Sequence, residues 1–171
     1  MPFLISLSRS IDCFSAVIGK YVSWLALFMV LAQFAMVIAR YVYGLGLIAL
    51  QESVIYSFAL LFMLGAAETL RRDGHVRIDI IYDRLSPRGR AWIDLAGHLF
   101  VLIPVCIAIL LLSYAYVAGS WSILEGSRES TGLPFLFLLK SLLIVFPVLM
   151  ILQSLSNAIK AAVQLRASGA Q

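Results

Sequence analysis

Between Lys20 and Arg40 the chain carries no charged side chain, and three further apolar stretches of comparable length follow. A hydrocarbon layer about 30 Å thick is crossed by roughly 20 apolar residues of helix, so these stretches admit little besides a bundle of membrane-crossing helices. The spans read as 21–43, 47–70, 91–123 and 133–157 within a single membrane domain. Tyr21, Trp24, Tyr41 and Tyr43 flank the first, where interfacial aromatics belong. In the second, the uncharged part from Ser53 to Ala67 is too short to cross alone, which puts Glu52 and Glu68 near opposite faces. The third becomes apolar near Leu95 and contains Pro104, whose missing N–H predicts a bend; the fourth contains Pro147. Composition agrees, since 62% of the 171 residues are hydrophobic and 13% charged, too little polar material to cover a water-soluble domain.

The positive charges are unevenly spread. Arg9 and Lys20 near the start, Arg71, Arg72, Arg77, Arg84, Arg88 and Arg90 in the central loop, and Lys160 and Arg166 at the end all fall on one side, against Arg40, Arg128 and Lys140 on the other. Short basic connections stay cytoplasmic, so both termini are expected there, in a multi-pass membrane protein. The net charge of +4 then reflects orientation and phospholipid contact, and nucleic acid is set aside as a partner. Cys13 and Cys106 have no metal-ligand spacing and read as unpaired thiols.

Two surface helices are expected beside the spans. In residues 1–20, Phe3, Leu7, Ile11, Phe14 and Ile18 recur at helical spacing, with Ser6, Arg9 and Asp12 elsewhere on the wheel, which suits a retained amphipathic helix lying in the interface. A frayed tail is the alternative. The loop 71–90 opens with Arg71 and Arg72 at a helix C-terminus, and Gly74 is the candidate for the left-handed closing residue. Ile78, Ile81, Tyr82 and Leu85 then form one apolar stripe, flanked by Arg77 and Arg84 on one side and Asp79 and Asp83 on the other, the pattern of a short helix lying flat on the membrane. Ser86–Pro87 reads as N-cap and first residue of the next helix, and residues 158–171 as a cytoplasmic tail.

Charges beside the spans read as paired. Arg40 and Glu52 are expected to pair across the first hairpin, Glu68 with Arg71 and Arg72 along its own helix, and Lys140 either snorkels or meets Glu125 or Glu129. His75 and His98 lack partners at ligand spacing and read as hydrogen-bonding or contact residues. At the depth of the spans the polar side chains read are serines and Gln33, with prolines, too little for the coupling site of a transporter. Catalytic, substrate-binding, metal and cofactor sites are expected to be none. Two other readings are a self-sufficient homo-oligomeric small transporter, which needs a pore carboxylate, and a haem-bearing anchor of a respiratory enzyme, which needs two histidines at matching depth.

Residues 65–95, GAAETLRRDGHVRIDIIYDRLSPRGRAWIDL, resemble the small membrane subunit, DctQ type, of tripartite ATP-independent periplasmic (TRAP) transporters. The resemblance rests on His75, Val76, Arg77, Ile78 and Asp79, followed by Arg84, Leu85, Pro87 and Arg88. Gln51–Glu52 matches the acidic start of the second span, and SWSILEGSREST followed by GLPFLFLLKSLL is similar to the subgroup associated with 2-oxo acids, mannitol and haloaromatic acids. The resemblance implies a non-catalytic subunit of a cation-coupled importer of an organic acid, the sodium sites lying in a large elevator-type partner of DctM type. It also implies that the subunit scaffolds this partner and helps dock a periplasmic binding protein of DctP type. Arg71, Arg72, His75, Arg77, Asp79, Arg84 and Arg88 are then expected to anchor or contact partners, and Trp24, Trp92 and Trp121 to fix depth in the membrane.

Overall fold

The computed structural model describes residues 2–74 and 85–167. All regular structure among them is helical, and four stretches are long and apolar enough to cross a membrane: Phe3–Tyr43, Ile48–Arg71, Pro87–Ser122 and Leu136–Arg166. The first comprises α1 (Pro2–Val22) and α2 (Trp24–Tyr43), joined at Ser23, whose hydroxyl donates to the Lys20 carbonyl at 2.7 Å. Gly44, in the left-handed region at φ 67°, ends α2 and turns the chain into α3 (Ile48–Arg71).

The end of α3 differs from expectation in one residue. Asp73, at φ 57°, holds the left-handed position, while the Gly74 N–H reaches back to the Thr69 carbonyl at 2.9 Å. Aspartate tolerates this conformation, and Gly74 serves instead as a residue without bulk, because an added Cβ would come within 3.2 Å of Thr69 Cγ2. The surface helix expected over 78–84 lies outside the described residues, as do His75, Arg77, Asp79, Asp83 and Arg84. The next helix starts where the sequence placed it. The Ser86 hydroxyl accepts from the Gly89 N–H at 3.2 Å, and Pro87 opens α4 (Pro87–Ala96).

From α4 the helix continues as a π-helical segment, Gly97–Leu102, into α5 (Ile103–Ser122). Pro104, where a bend is expected, follows directly on this change of winding. Proline cannot donate to the Phe100 carbonyl one turn back, and the widened turn contains Phe100. A loop over 123–135 leads to α6 (Leu136–Ala167), which at 32 residues is about 48 Å long, well beyond a hydrocarbon core of about 30 Å.

α6 is the hub, packing against α1, α3, α4, the π segment and α5. Leu70, Cys106 and Met150 form a buried apolar cluster with Ala66, Leu102, Phe146 and Ile151 around it. α2 rests mainly on α3. Cys13 and Cys106 are both free thiols, one exposed and one buried.

Candidate functional site: a polar seam along the longest helix

α1 meets the bundle with the face that sequence reasoning turned toward water. Ser8 and Ser15 are buried and Asp12 is largely enclosed, whereas Phe3, Leu7 and Phe14 stand outside the bundle. In an apolar solvent this sense is the favourable one. An unpaired polar group has no water to bond and seeks another helix, while apolar side chains lose nothing by facing lipid.

The partners lie on α6. Asp12 Oδ1 accepts from Gln153 Nε2 at 2.9 Å and from the Ser156 hydroxyl at 2.8 Å, and Lys160 Nζ is 2.6 Å from Oδ2. The Ser15 hydroxyl donates to Gln153 Oε1 at 2.7 Å, and Ser8 and Ser156 share a hydrogen bond of 2.7 Å. Gln153, Ser154 and Ser156 are wholly buried. The seam then branches to other helices. The Asn157 amide donates at 3.3 Å to the Leu70 carbonyl, which also accepts from the Asp73 N–H at the end of α3, and the Ser154 hydroxyl sits 3.2 Å from His98 Nδ1 on the π segment.

The expectation that the spans hold only serines, Gln33 and prolines is therefore corrected: Gln153 and Asn157, both within 133–157, are the centre of the polar interior. A signal for them exists in the sequence. Gln153, Ser156, Asn157 and Lys160 recur at helical spacing, and Ser8, Asp12 and Ser15 repeat the same spacing on α1. Chemically the seam is closed on itself. Its carboxylate is matched by a lysine and its amide is bonded at both ends, so it joins helices, and at its outer end Asn157 and Lys160 also line a cavity of about 190 Å³.

The ends of the bundle hold the other charged residues. Glu68 sits under α1, where Gly19 lies so close that an added Cβ would be 2.7 Å from Glu68 Cβ. Its carboxylate takes a two-pronged contact from Arg71, at 2.6 and 2.8 Å, and a further bond from Arg72, the expected local pairs. At the opposite end Lys140 Nζ pairs with Glu125 and lies 4.1 Å from the centre of the Tyr116 ring, which resolves its two candidate carboxylates in favour of Glu125. Lys140 holds the Glu125 carboxyl below the usual carboxylate range.

Glu52 does not pair with Arg40. Its carboxylate accepts from the Ser127 hydroxyl and, at 2.6 Å, from the Leu133 N–H, tying the 123–135 loop to the start of α3. The Leu133 N–H and the Ser127 hydroxyl of the loop take the Glu52 carboxylate as their acceptor, whereas Arg40 lines a cavity of about 270 Å³ with Gln33 and Gln51. Among the described residues Arg40 has no ion partner. Trp24, Trp92 and Trp121 are all substantially exposed on the outside of the bundle; the Trp121 indole donates to the Ser141 hydroxyl at 2.8 Å. Arg88 is exposed on α4.

Lys140 and Lys160 are separated by 20 residues of α6, about 30 Å, the thickness of the hydrocarbon layer. The ion pairs Lys140–Glu125 and Lys160–Asp12 thus stand one membrane core apart. Gln153 lies between them, about 10 Å from the Lys160 level.

An all-helical bundle with four membrane-length helices and an internal seam of helix-to-helix polar contacts defines a multi-pass membrane protein. Residues 29–164 match the family of tripartite ATP-independent periplasmic transporters, DctQ component, and the chain belongs to that family, the small membrane subunits of TRAP transporters. No curated protein and no solved structure matches the chain significantly.

Proposed function

We propose that this subunit is the fixed part of its transporter, holding and orienting a large elevator-type membrane subunit that carries an organic acid across the bacterial inner membrane with a cation, sodium being the expected ion. The observation that supports this reading is the closed polar seam. Among the described residues Asp12, Gln153 and Lys160 are bonded to one another across two helices, which stiffens a bundle and suits a fixed part better than a site that binds and releases a solute. A scaffold for a sliding partner must resist tilt. Trp92 and Trp121, exposed at either end of the α4–α5 rod, are about 40 Å apart, close to the full thickness of a bilayer with its headgroups.

The basic ends of α1, α3 and α6 face the cytoplasm in this reading, and the arginines of the 71–90 segment attach them to anionic headgroups, each contributing about 1 kcal/mol. The 123–135 loop, braced by Glu52 and Glu125, then faces the periplasm and offers a shaped surface to the binding protein.

The test is uptake in sealed vesicles. The subunit alone should move no organic acid, the subunit with its large partner and binding protein should, and omission of the subunit should abolish uptake. Accumulation of substrate by vesicles holding this chain alone defeats the reading.

A further inference from the structure

A groove of about 970 Å³ runs along the outside of the bundle between the α1–α2 junction and the second half of α3. Its floor and walls are apolar, formed by Leu61, Phe62 and Gly65, and its polar end is rimmed by Lys20, Thr69 and Arg72. The acidic group in this rim, Glu68, is already neutralised, since its carboxylate is bonded by Arg71 and Arg72, so the rim as a whole is cationic. From Arg72 to Leu61 the groove follows 11 residues of helix, about 16 Å, which is one leaflet of a hydrocarbon core of about 30 Å.

We propose that this groove is a binding site for one anionic glycerophospholipid, its phosphate between Lys20 and Arg72 and one acyl chain lying along Gly65. Length and charge select this occupant. A partner's membrane-crossing helix would need a groove running the full thickness of the core, and this one stops at Leu61; a soluble anion would have no use for the apolar half. Gly65 keeps the groove open, because it faces empty space: a Cβ added there meets nothing within 4 Å. The position is also one where a Cβ can be added without meeting another atom, which makes it a place to probe the site apart from the fold. A lipid held there would fill the angle between α1 and α3 and set the depth of the junction at Ser23.

The full chain is purified in detergent, equilibrated with mixed micelles holding equal amounts of phosphatidylglycerol and phosphatidylcholine, and examined by native mass spectrometry. One phosphatidylglycerol should be retained in preference to phosphatidylcholine by about tenfold, because its headgroup charge is net negative beside Lys20 and Arg72, whereas the choline cation cancels the phosphate charge and is repelled there. Lys20→Gln, which removes one cation at an exposed position, and Gly65→Phe, which fills the acyl path, should each abolish the preference. Leu112→Phe, on the exposed face of α5, should leave it intact. Equal retention of the two lipids overturns the proposal, as does a preference that survives either groove variant. Should Gly65→Phe not fold, Lys20→Gln alone decides.

Discussion

α2 and α6 look alike as sequence, two long apolar helices, and play opposite parts in the structure. α2 buries only Ala32 and Ala39, both small, and shows Val30, Leu31 and Phe34 to its surroundings. α6 buries Leu142, Leu149 and Met150 together with Gln153, Ser154 and Ser156, and every described helix except α2 packs against it. In water the apolar face would decide which side turns inward. In lipid both sides of an apolar helix are content, so polar side chains decide, and the helix that has them becomes the centre. α2 rests on α3 with small residues inward and keeps its large side chains outside.

The difference predicts unequal responses to mutation. The largest effect should come from Gln153→Ala, which leaves a cavity and strips a partner from Ser15, Asp12 and Asn157 at once; a loss of about 3 kcal/mol is expected in reversible unfolding from mixed micelles. A loss below half a kcal/mol there would mean that the seam does not hold the bundle. Lys160→Met leaves the Asp12 charge without its cation and should cost about 1 to 2 kcal/mol, the partial exposure of the lysine moderating the penalty. Adding Asp12→Leu to it should recover part of that loss, and a double variant worse than the sum of the two singles would refute the pairing.

Gly19→Ala tests close approach rather than polarity. The new methyl meets Glu68 on a packed helix, and about 1 kcal/mol of destabilisation is expected, measured as a lowered thermal midpoint; an unchanged midpoint would show that α1 is free to lift away from α3. A smaller effect belongs to Glu125, and it depends on pH. Because Lys140 lowers its folded pKa, the pair's contribution is complete above the unfolded carboxylate's value of about 4.3 and disappears as pH falls through the lower folded value. Thermal midpoints of the wild type should therefore fall in that acid window more than those of Glu125→Gln, and parallel curves would count against the pair. The smallest effect is expected of Phe34→Ala on α2, within about 0.5 kcal/mol of wild type, since the ring is exposed; a large loss would erase the contrast between the two helices.

Local chemistry was readable in advance. The Ser86 cap and the Glu68 contacts with Arg71 and Arg72 follow from short spacings, where helix geometry alone brings side chains together. The left-handed residue at the end of α3 was displaced by one position because aspartate and glycine both tolerate that conformation, and the packing of Thr69 against Gly74 settled which took it. Contacts across long separations were misread in two places. Glu52 finds its partners in the 123–135 loop, far along the chain, and Asp12 finds Lys160 and Gln153 at the other end of it.

The four apolar runs, each long enough for a bilayer core, by themselves required a helical membrane bundle, since no other open structure satisfies its backbone without water. The Ser86–Pro87 pair likewise marked the start of the third rod. Which face of each helix turns inward was decided only by tertiary structure. Hydrophobicity does not distinguish the inside of such a bundle from the lipid around it, and the few polar side chains select their neighbours by meeting one another in three dimensions.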